Sequence, residues 1–290
     1  MDSWMDSPIV SFGRGGETFT LGRGPDDPVL HLKGSTGLGL APVSIESSDR
    51  LTGDGSIVRG VRYGTREVYI PLLMEAESVG ALSLMRRELT RLLAPHAGMV
   101  DVRIEDPATG TDRMIRGYFR EGLEGDFGDG FHGAWQTLGL TFECPDPWWL
   151  GPERTRTLQL NPGVKDFLSD TTPFFPVILA ESVVQDEWTI EVEGDADVWP
   201  TWEVTGPGTD LLIESDDARI FIAGTFLAGQ VTRIDTGAGV ISPDRWADTS
   251  LDSRLFPLRA GVNTLRVSMV NATVNTTVRL VWQERYLEGV

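Results

Sequence analysis

The segment that most constrains this chain is residues 142–149, Phe-Glu-Cys-Pro-Asp-Pro-Trp-Trp. Its two prolines remove two backbone hydrogen-bond donors and push the preceding residues into extended conformations, so a helix does not cross it. A flexible linker would be polar and rich in glycine and serine, whereas this segment is stiff and aromatic. We therefore predict a tight boundary between two domains, residues 1–147 and 148–290.

Length and composition agree with two folded domains. The chain has 290 residues, 40% hydrophobic content and nine tryptophans, which excludes a mainly disordered polypeptide. It has no apolar run long enough for a transmembrane helix, and its acidic N-terminus does not resemble a signal peptide. Cys144 is the single cysteine, which excludes an intrachain disulfide and a zinc site built from cysteines. We predict that it is a small buried apolar residue rather than a nucleophile.

The charge limits the partners. The formal net charge is −18, and an acidic surface repels phosphate backbones and anionic membranes. We therefore expect neither direct nucleic-acid binding nor membrane binding. The lone cysteine fits a protein that is made in a reducing cytoplasm.

The first half is predicted to contain β-strands around one α-helix at residues 78–94. Ser78 is a plausible N-cap, and Pro95 and Gly98 end the helix. Residues 34–60 are predicted as repeated turns, residues 56–73 as strand, turn and strand, and residues 100–119 as a hairpin. A period-two strand at residues 138–143 leads into the boundary segment. The apolar residues at helical spacing are Leu82, Met85, Leu89, Leu92 and Leu93.

The second half is predicted to be a β-sandwich, because many short strands alternate with turns and none shows a helical period. In the strand at residues 188–194, apolar residues occupy every second position with glutamates between them. The other predicted strands are residues 176–179, 202–204, 211–213, 219–222, 231–235, 262–270 and 277–286.

The order of several motifs carries a resemblance to a known family. A Gly-Asp-Gly loop is followed by Arg-Gly-Val-Arg-Tyr-Gly-Thr-Arg-Glu-Val, a helix ending Leu-Leu-Ala-Pro-His-Ala-Gly, a hairpin, and residues 142–149. This order resembles the distal tail protein (Dit) family of long-tailed, siphovirus-type bacteriophages. Residues 199–202 and 258–263 also resemble segments of that family's galectin-like domain.

The resemblance implies a fold and a function. The fold is mainly β, with an N-terminal ring-forming domain that carries one helix and a C-terminal galectin-like β-sandwich. The function is a structural hub of the tail tip or baseplate, located at the distal end of the tail in the virion and made in the host cytoplasm. We expect a homohexameric ring that joins the tail tube protein to the tail-tip hub (tail-associated lysin-like) protein and to receptor-binding proteins. DNA passes through such a ring without specific binding, and no cofactor is implied.

A sheet with open edges can close into a ring by pairing with its neighbours. Residues 56–74 and the 100–119 hairpin are our candidates for that surface. The arginines are expected at subunit contacts, away from an acidic lumen that does not retain DNA. The alternative is that they are solvated strand charges, each contributing about 1 kcal/mol at most. The candidate interface residues are Arg59, Arg62, Arg66, Glu67, Asp101, Glu105 and Arg116.

Catalysis is not expected. His31, His96 and His132 are too far apart in sequence for metal-ligand spacing. The many carboxylates include no pair that its surroundings mark as a glycosidase site, and the nucleophile, metalloprotease and phosphate-loop motifs are absent from the sequence.

The alternative function is a carbohydrate-binding adsorption protein that recognises the host surface through its C-terminal sandwich. Exposed tryptophans would stack on sugars, and Trp199, Trp202 and Trp246 are the candidates, although packing is the favoured interpretation for them. Trp188 and Trp282 lie on the apolar faces of their predicted strands, so we predict that both are in the core.

Overall fold

The computed structural model describes residues 8–22, 24, 27–124, 133–159 and 183–290. The chain divides into two compact units, one formed by Met1–Pro152 with Tyr286–Val290 and the other by Glu153–Arg285. The predicted mainly β fold with one α-helix is confirmed in the described ranges. The strand predicted at residues 176–179 lies outside them.

The first unit is built on a sheet with the strand order β3-β6-β9-β8-β7-β1-β2. Gly22, two residues past the end of β2, forms a bridge with Leu30 of β3, and its amide donates to the carbonyl of Val29 at 2.6 Å. The sheet therefore closes on itself. Its strands are β1 (Ile9–Arg14), β2 (Glu17–Thr20), β3 (Val29–His31), β6 (Arg66–Glu75), β7 (Val100–Asp106), β8 (Thr111–Glu121) and β9 (Trp135–Cys144).

Helix α1 spans Val79–Leu93 and confirms the predicted helix. The hydroxyl oxygen of Ser78 accepts a hydrogen bond from the amide of Ala81 at 3.2 Å, which satisfies one of the free donors of the first turn. A short 3₁₀ turn, Pro95–Ala97, follows the helix, and Gly98 with φ 104° redirects the chain. The buried helix residues are Leu82, Leu89, Leu92 and Leu93.

Strand β9 leads into the boundary segment with its apolar residues alternating as predicted, although Thr141 on the other face is buried as well. Leu138, Leu140 and Phe142 are buried, and the ring of Phe142 stacks on that of Phe12 with centroids 5.2 Å apart. Because β9 pairs with β6 along its whole length, this strand lies at the centre of the core of the first unit.

One prediction about the first half is wrong and a neighbouring one is confirmed. Residues 34–60 are not only turns, because they contain β4 (Val43–Asp49) and the start of β5 (Ser56–Tyr63). The strand, turn and strand predicted at residues 56–73 are confirmed as β5 and β6, although the two strands do not pair with each other: β5 pairs with β4, whereas β6 lies between β3 and β9. The reason is burial: Val68, Ile70 and Leu72 make β6 a central strand whose two edges are occupied.

The second unit is a β-sandwich, as predicted. One sheet has the order β16-β15-β12-β18-β10 and the other β11-β17-β13-β14. The inward-facing residues of both sheets form one apolar core, which includes Trp188 and Trp282 as predicted. The strands are β10 (Trp149–Gln159, which begins in the first unit), β11 (Val183–Val192), β12 (Thr201–Thr205), β13 (Gly208–Glu214), β14 (Arg219–Phe226), β15 (Val231–Asp235), β16 (Val240–Ser242), β17 (Gly261–Val270) and β18 (Thr277–Tyr286).

Candidate functional site

Strands β4 and β5 form a separate two-stranded ribbon in the first unit. The turn at its tip, between Asp49 and Ser56, contains Gly53 and Gly55 at φ 93° and 85°, where a residue with a Cβ would be strained. At the base of the ribbon the amide of Gly64 donates to the carbonyl of Pro42 at 2.7 Å. At the same end the ring of Tyr63 meets that of Trp148 edge to face, with centroids 5.1 Å apart. A two-stranded ribbon alone is marginally stable in water, so the rest of its length needs a further surface to pack on.

One face of the ribbon is apolar. Val43 lies opposite Tyr63 and Ile45 opposite Val61, and residues directly opposite each other share a face. These four side chains are between 38% and 64% exposed. Leu51 at the tip is fully exposed as well. A contiguous exposed apolar surface of this kind is typical of a protein interaction site.

The opposite face of the ribbon is mostly polar, although Ile57 lies on it opposite Ser48, and it carries two of the predicted interface arginines. Arg62 pairs with Glu46 at 3.2 Å, and the Nε of Arg59 donates to the hydroxyl of Ser48 at 3.0 Å. Both arginines are exposed. The sequence analysis found these residues but missed the apolar face behind them, for which the alternation of Val43 and Ile45, and of Val61 and Tyr63, was the signal.

The prediction for Arg66 is wrong, because this side chain is 1% exposed and cannot contact a neighbouring subunit. Burial lowers the pKa of its guanidinium, but the group keeps its charge and donates to backbone carbonyls. The acceptors are Pro147 at 2.8 Å, Gly37 at 2.7 Å, Gly39, and Leu287 at 2.8 Å. Arg66 thus holds three separate segments of the first unit together.

The remaining predicted interface residues form ion pairs within the chain. Arg116 pairs with Asp101 at 3.0 Å across the β7–β8 hairpin, and Arg120 pairs with Glu67 at 3.5 Å. Glu105 lies 4.0 Å from Arg103. The hairpin is also not an open edge, because β7 pairs with β1 and β8 pairs with β9. The edge-pairing argument for residues 66–74 and 100–119 therefore does not apply to this sheet.

The three candidate stacking tryptophans differ in their exposure to solvent. Trp202 is fully buried and its ring stacks on that of Trp188 with centroids 6.1 Å apart, so it cannot stack on a ligand. Trp199 and Trp246 are 48% and 47% exposed. These two rings are the part of the prediction that remains open to a ligand.

Chemically reactive groups are few in the described part of the chain. Burial raises the pKa of the Cys144 thiol to about 12, so the group is a neutral apolar residue at physiological pH, as predicted. In these ranges no cluster of three or more histidine, cysteine, aspartate or glutamate residues is arranged to hold a metal. None of the described helices is long and apolar enough to cross a membrane.

Comparison with known proteins supplies the context for this fold. Residues 193–286 match the model of the SPP1 Dit family, described as "Siphovirus-type tail component, C-terminal domain". No curated protein matches the chain.

Three solved structures share the fold over nearly the whole chain. The Dit protein (gp 19.1) of SPP1, described as a paradigm of the hub adsorption apparatus in phages that infect Gram-positive bacteria, is 16% identical with a TM-score of 0.62, over 95% of this chain and 98% of that one. A chain of the phage P2 baseplate in its activated conformation with Ca is 9% identical with a TM-score of 0.55, over 96% and 98%. A chain of the p2 baseplate with Sr is 7% identical with a TM-score of 0.53, over 95% and 98%.

Residues 193–286 are thus similar to the C-terminal domain of a siphovirus-type tail component, and the whole chain shares its fold with the solved Dit and baseplate chains. Both similarities agree with the resemblance to the distal tail protein (Dit) family that the sequence motifs carry.

Proposed function

We propose that this protein forms a homohexameric ring at the distal end of the phage tail. The ring joins the tail tube protein to the tail-tip hub and to receptor-binding proteins. The similar Dit protein of SPP1 belongs to a hub adsorption apparatus, and the P2 and p2 chains belong to baseplates. The proposed role is structural, and the net charge of −18 suits a ring through which DNA slides without adhering.

The observation that carries this proposal is the apolar face of the β4–β5 ribbon. This face is formed by Val43, Ile45, Val61 and Tyr63, and its exposed apolar area favours contact with another protein surface. In a homo-oligomer a second copy of the chain supplies that surface. Fully burying an exposed Val or Ile side chain contributes about 1.5–3 kcal/mol, so completing the burial of four half-exposed side chains contributes roughly 4 kcal/mol per contact before the costs of association. Six such contacts around a ring would be a substantial driving force.

The ribbon also fits the symmetry of a ring. In a head-to-tail contact the ribbon of one copy meets a different surface of the next, and such contacts close into a ring when the rotation permits. Arg59 and Arg62 remain interface candidates in this arrangement, because they lie on the opposite face of the same ribbon and are exposed to a neighbouring copy.

The test compares two substitutions on neighbouring positions of β4. Ile45→Asp places a charge on the apolar face, whereas Ser44→Asp places the same charge on the polar face and serves as the matched control. Light scattering and negative-stain electron microscopy should show rings of six copies for the wild type and for Ser44→Asp, and smaller species for Ile45→Asp. A wild-type protein that stays monomeric at every concentration and shows no rings would contradict the proposal.

A second candidate function rests on Trp199 and Trp246, which are about half exposed in the second unit. Half-exposed aromatic rings are suited to stacking on sugar rings at a host cell surface. A glycan array with the wild type, Trp199→Ala and Trp246→Ala tests this function. The carbohydrate-binding function is supported if the wild type binds a glycan and either substitution abolishes the signal. It is excluded if the wild type binds no glycan on the array.

A further inference from the structure

A cavity lies beside the second half of α1, where the helix faces the turn between β1 and β2. Its volume is about 660 Å³. We call it the arginine groove, because Arg14, Arg86, Arg87 and Arg91 line it. Ser83, Thr90 and Ala94 contribute smaller side chains to the helix side of the cavity.

The charge of this groove is opposite to that of the protein. Its lining contains four guanidinium groups and one carboxylate, that of Glu17, whereas the whole chain carries −18. Within a concave surface, charges of one sign reinforce one another's field. The groove is therefore a local electropositive site on an acidic protein.

Part of this positive charge is used inside the unit. The guanidinium of Arg14 donates to the carbonyls of Arg91 at 2.9 Å and Ala94 at 2.8 Å, which offsets the negative end of the helix dipole. Arg91 pairs with Glu17 at 3.1 Å. Arg87 is exposed, and within the described ranges no carboxylate lies at ion-pair distance from it. Arg87 is thus the cation that an external acid would meet first.

The chemistry favours carboxylates of a protein over a nucleic acid. Planar guanidinium groups bind carboxylates through paired, charge-assisted hydrogen bonds. DNA presents one phosphate about every 1.7 Å, and a chain of net charge −18 repels such a continuous polyanion. A few carboxylates on a folded protein surface experience less repulsion from the acidic chain than DNA does, and they can still pair with the guanidinium groups of the groove.

We infer that the arginine groove receives acidic side chains of the next copy of this chain, as a second part of the contact in the proposed ring, on which this inference rests. The chain supplies the complementary charge itself, with 43 acidic against 25 basic residues. In a two-fold contact centred on the groove, the groove would face its own copy and like charges would repel. In a head-to-tail contact it faces a different, acidic surface.

Zero-length crosslinking tests this contact directly, because the sequence contains only two lysines, Lys33 and Lys165. Arg87→Lys introduces an amine in the groove that a carbodiimide can couple to a carboxylate in direct contact. Assembled from a mixture of ¹⁴N- and ¹⁵N-labelled copies, this variant should give a crosslinked peptide pair of mixed isotope composition. Arg233→Lys, at an exposed position on β15, is the matched control and should give no new mixed pair.

Charge reversal provides the second measurement. Arg87→Glu should raise the concentration at which the ring dissociates by about tenfold or more, because like charges then meet, whereas Arg233→Glu should leave it unchanged. A wild type without rings overturns both the proposed function and this inference. If the wild type forms rings and Arg87→Glu does not weaken them, the inference alone is overturned. The same holds if the wild type forms rings but Arg87→Lys gives no mixed crosslink. Binding of a DNA duplex by the wild type that Arg87→Glu abolishes would assign the groove to phosphates and also overturn it.

Discussion

Replacing Arg66 by leucine should destabilise the first unit more than any surface substitution. The guanidinium donates to four backbone carbonyls that lie far apart in sequence. Leucine fills a similar volume near the ring of Trp149, whose centroid is 5.9 Å from the guanidinium carbon, but it donates no hydrogen bond. The substitution therefore isolates the effect of the missing donors.

The expected magnitude follows from the number of acceptors. A buried polar group that loses its partner costs about 1–3 kcal/mol, and taking the lower figure for each of four carbonyls gives about 4 kcal/mol. With a urea dependence of about 2 kcal/mol per molar, the unfolding midpoint of the first unit should fall by about 2 M. Arg66→Lys should recover only part of this loss, because an ammonium group has three donors and no planar fork.

The assay is equilibrium urea unfolding, with hydrogen exchange of peptides from β6 to assign the transition to the first unit. Arg116→Leu is the control, since it removes an exposed ion pair with Asp101 and should cost less than about 1 kcal/mol. If the midpoints of the Arg66→Leu and Arg116→Leu variants fall equally, then Arg66 does not hold these segments together and the reasoning fails.

Three further predictions concern buried groups. Cys144 should not react with iodoacetamide at pH 8 in the folded protein and should react once urea unfolds it, since burial raises its pKa to about 12; rapid alkylation without urea would refute this. Burial lowers the pKa of His31 below its ordinary 6.5, so the unfolded chain binds the proton more tightly and the first unit should lose stability as the pH falls through 6.5. Melting at pH 5.5 and 7.5 should show a smaller difference for His31→Gln than for the wild type, and an equal difference would exclude the effect. Trp202→Ala should destabilise the second unit by about 3–5 kcal/mol, whereas Trp199→Ala should cost less than about 1 kcal/mol, as measured by urea unfolding; similar losses for both would contradict their assigned burial.

The sequence determined the features that depend on local periodicity and on single residues. Helix α1 was predictable because its apolar spacing, its Ser78 cap and the Pro95 stop all lie within twenty residues. The alternation of β9 and the core positions of Trp188 and Trp282 were predictable for the same reason. The order of motifs carried the resemblance to the Dit family, with which the family model that matches residues 193–286 and the fold of the solved Dit structure agree.

The tertiary structure decided which strands pair and which charged groups are buried. Strand β5 is separated from β6 by only two residues, yet it pairs with β4, because strand neighbours depend on burial across the whole unit rather than on adjacency in sequence. Arg66 resembles the other arginines of its segment in sequence, but it becomes buried because carbonyls from residues 37, 39, 147 and 287 converge on it. A charged side chain can be buried only where distant segments supply its partners, and no local pattern encodes that convergence.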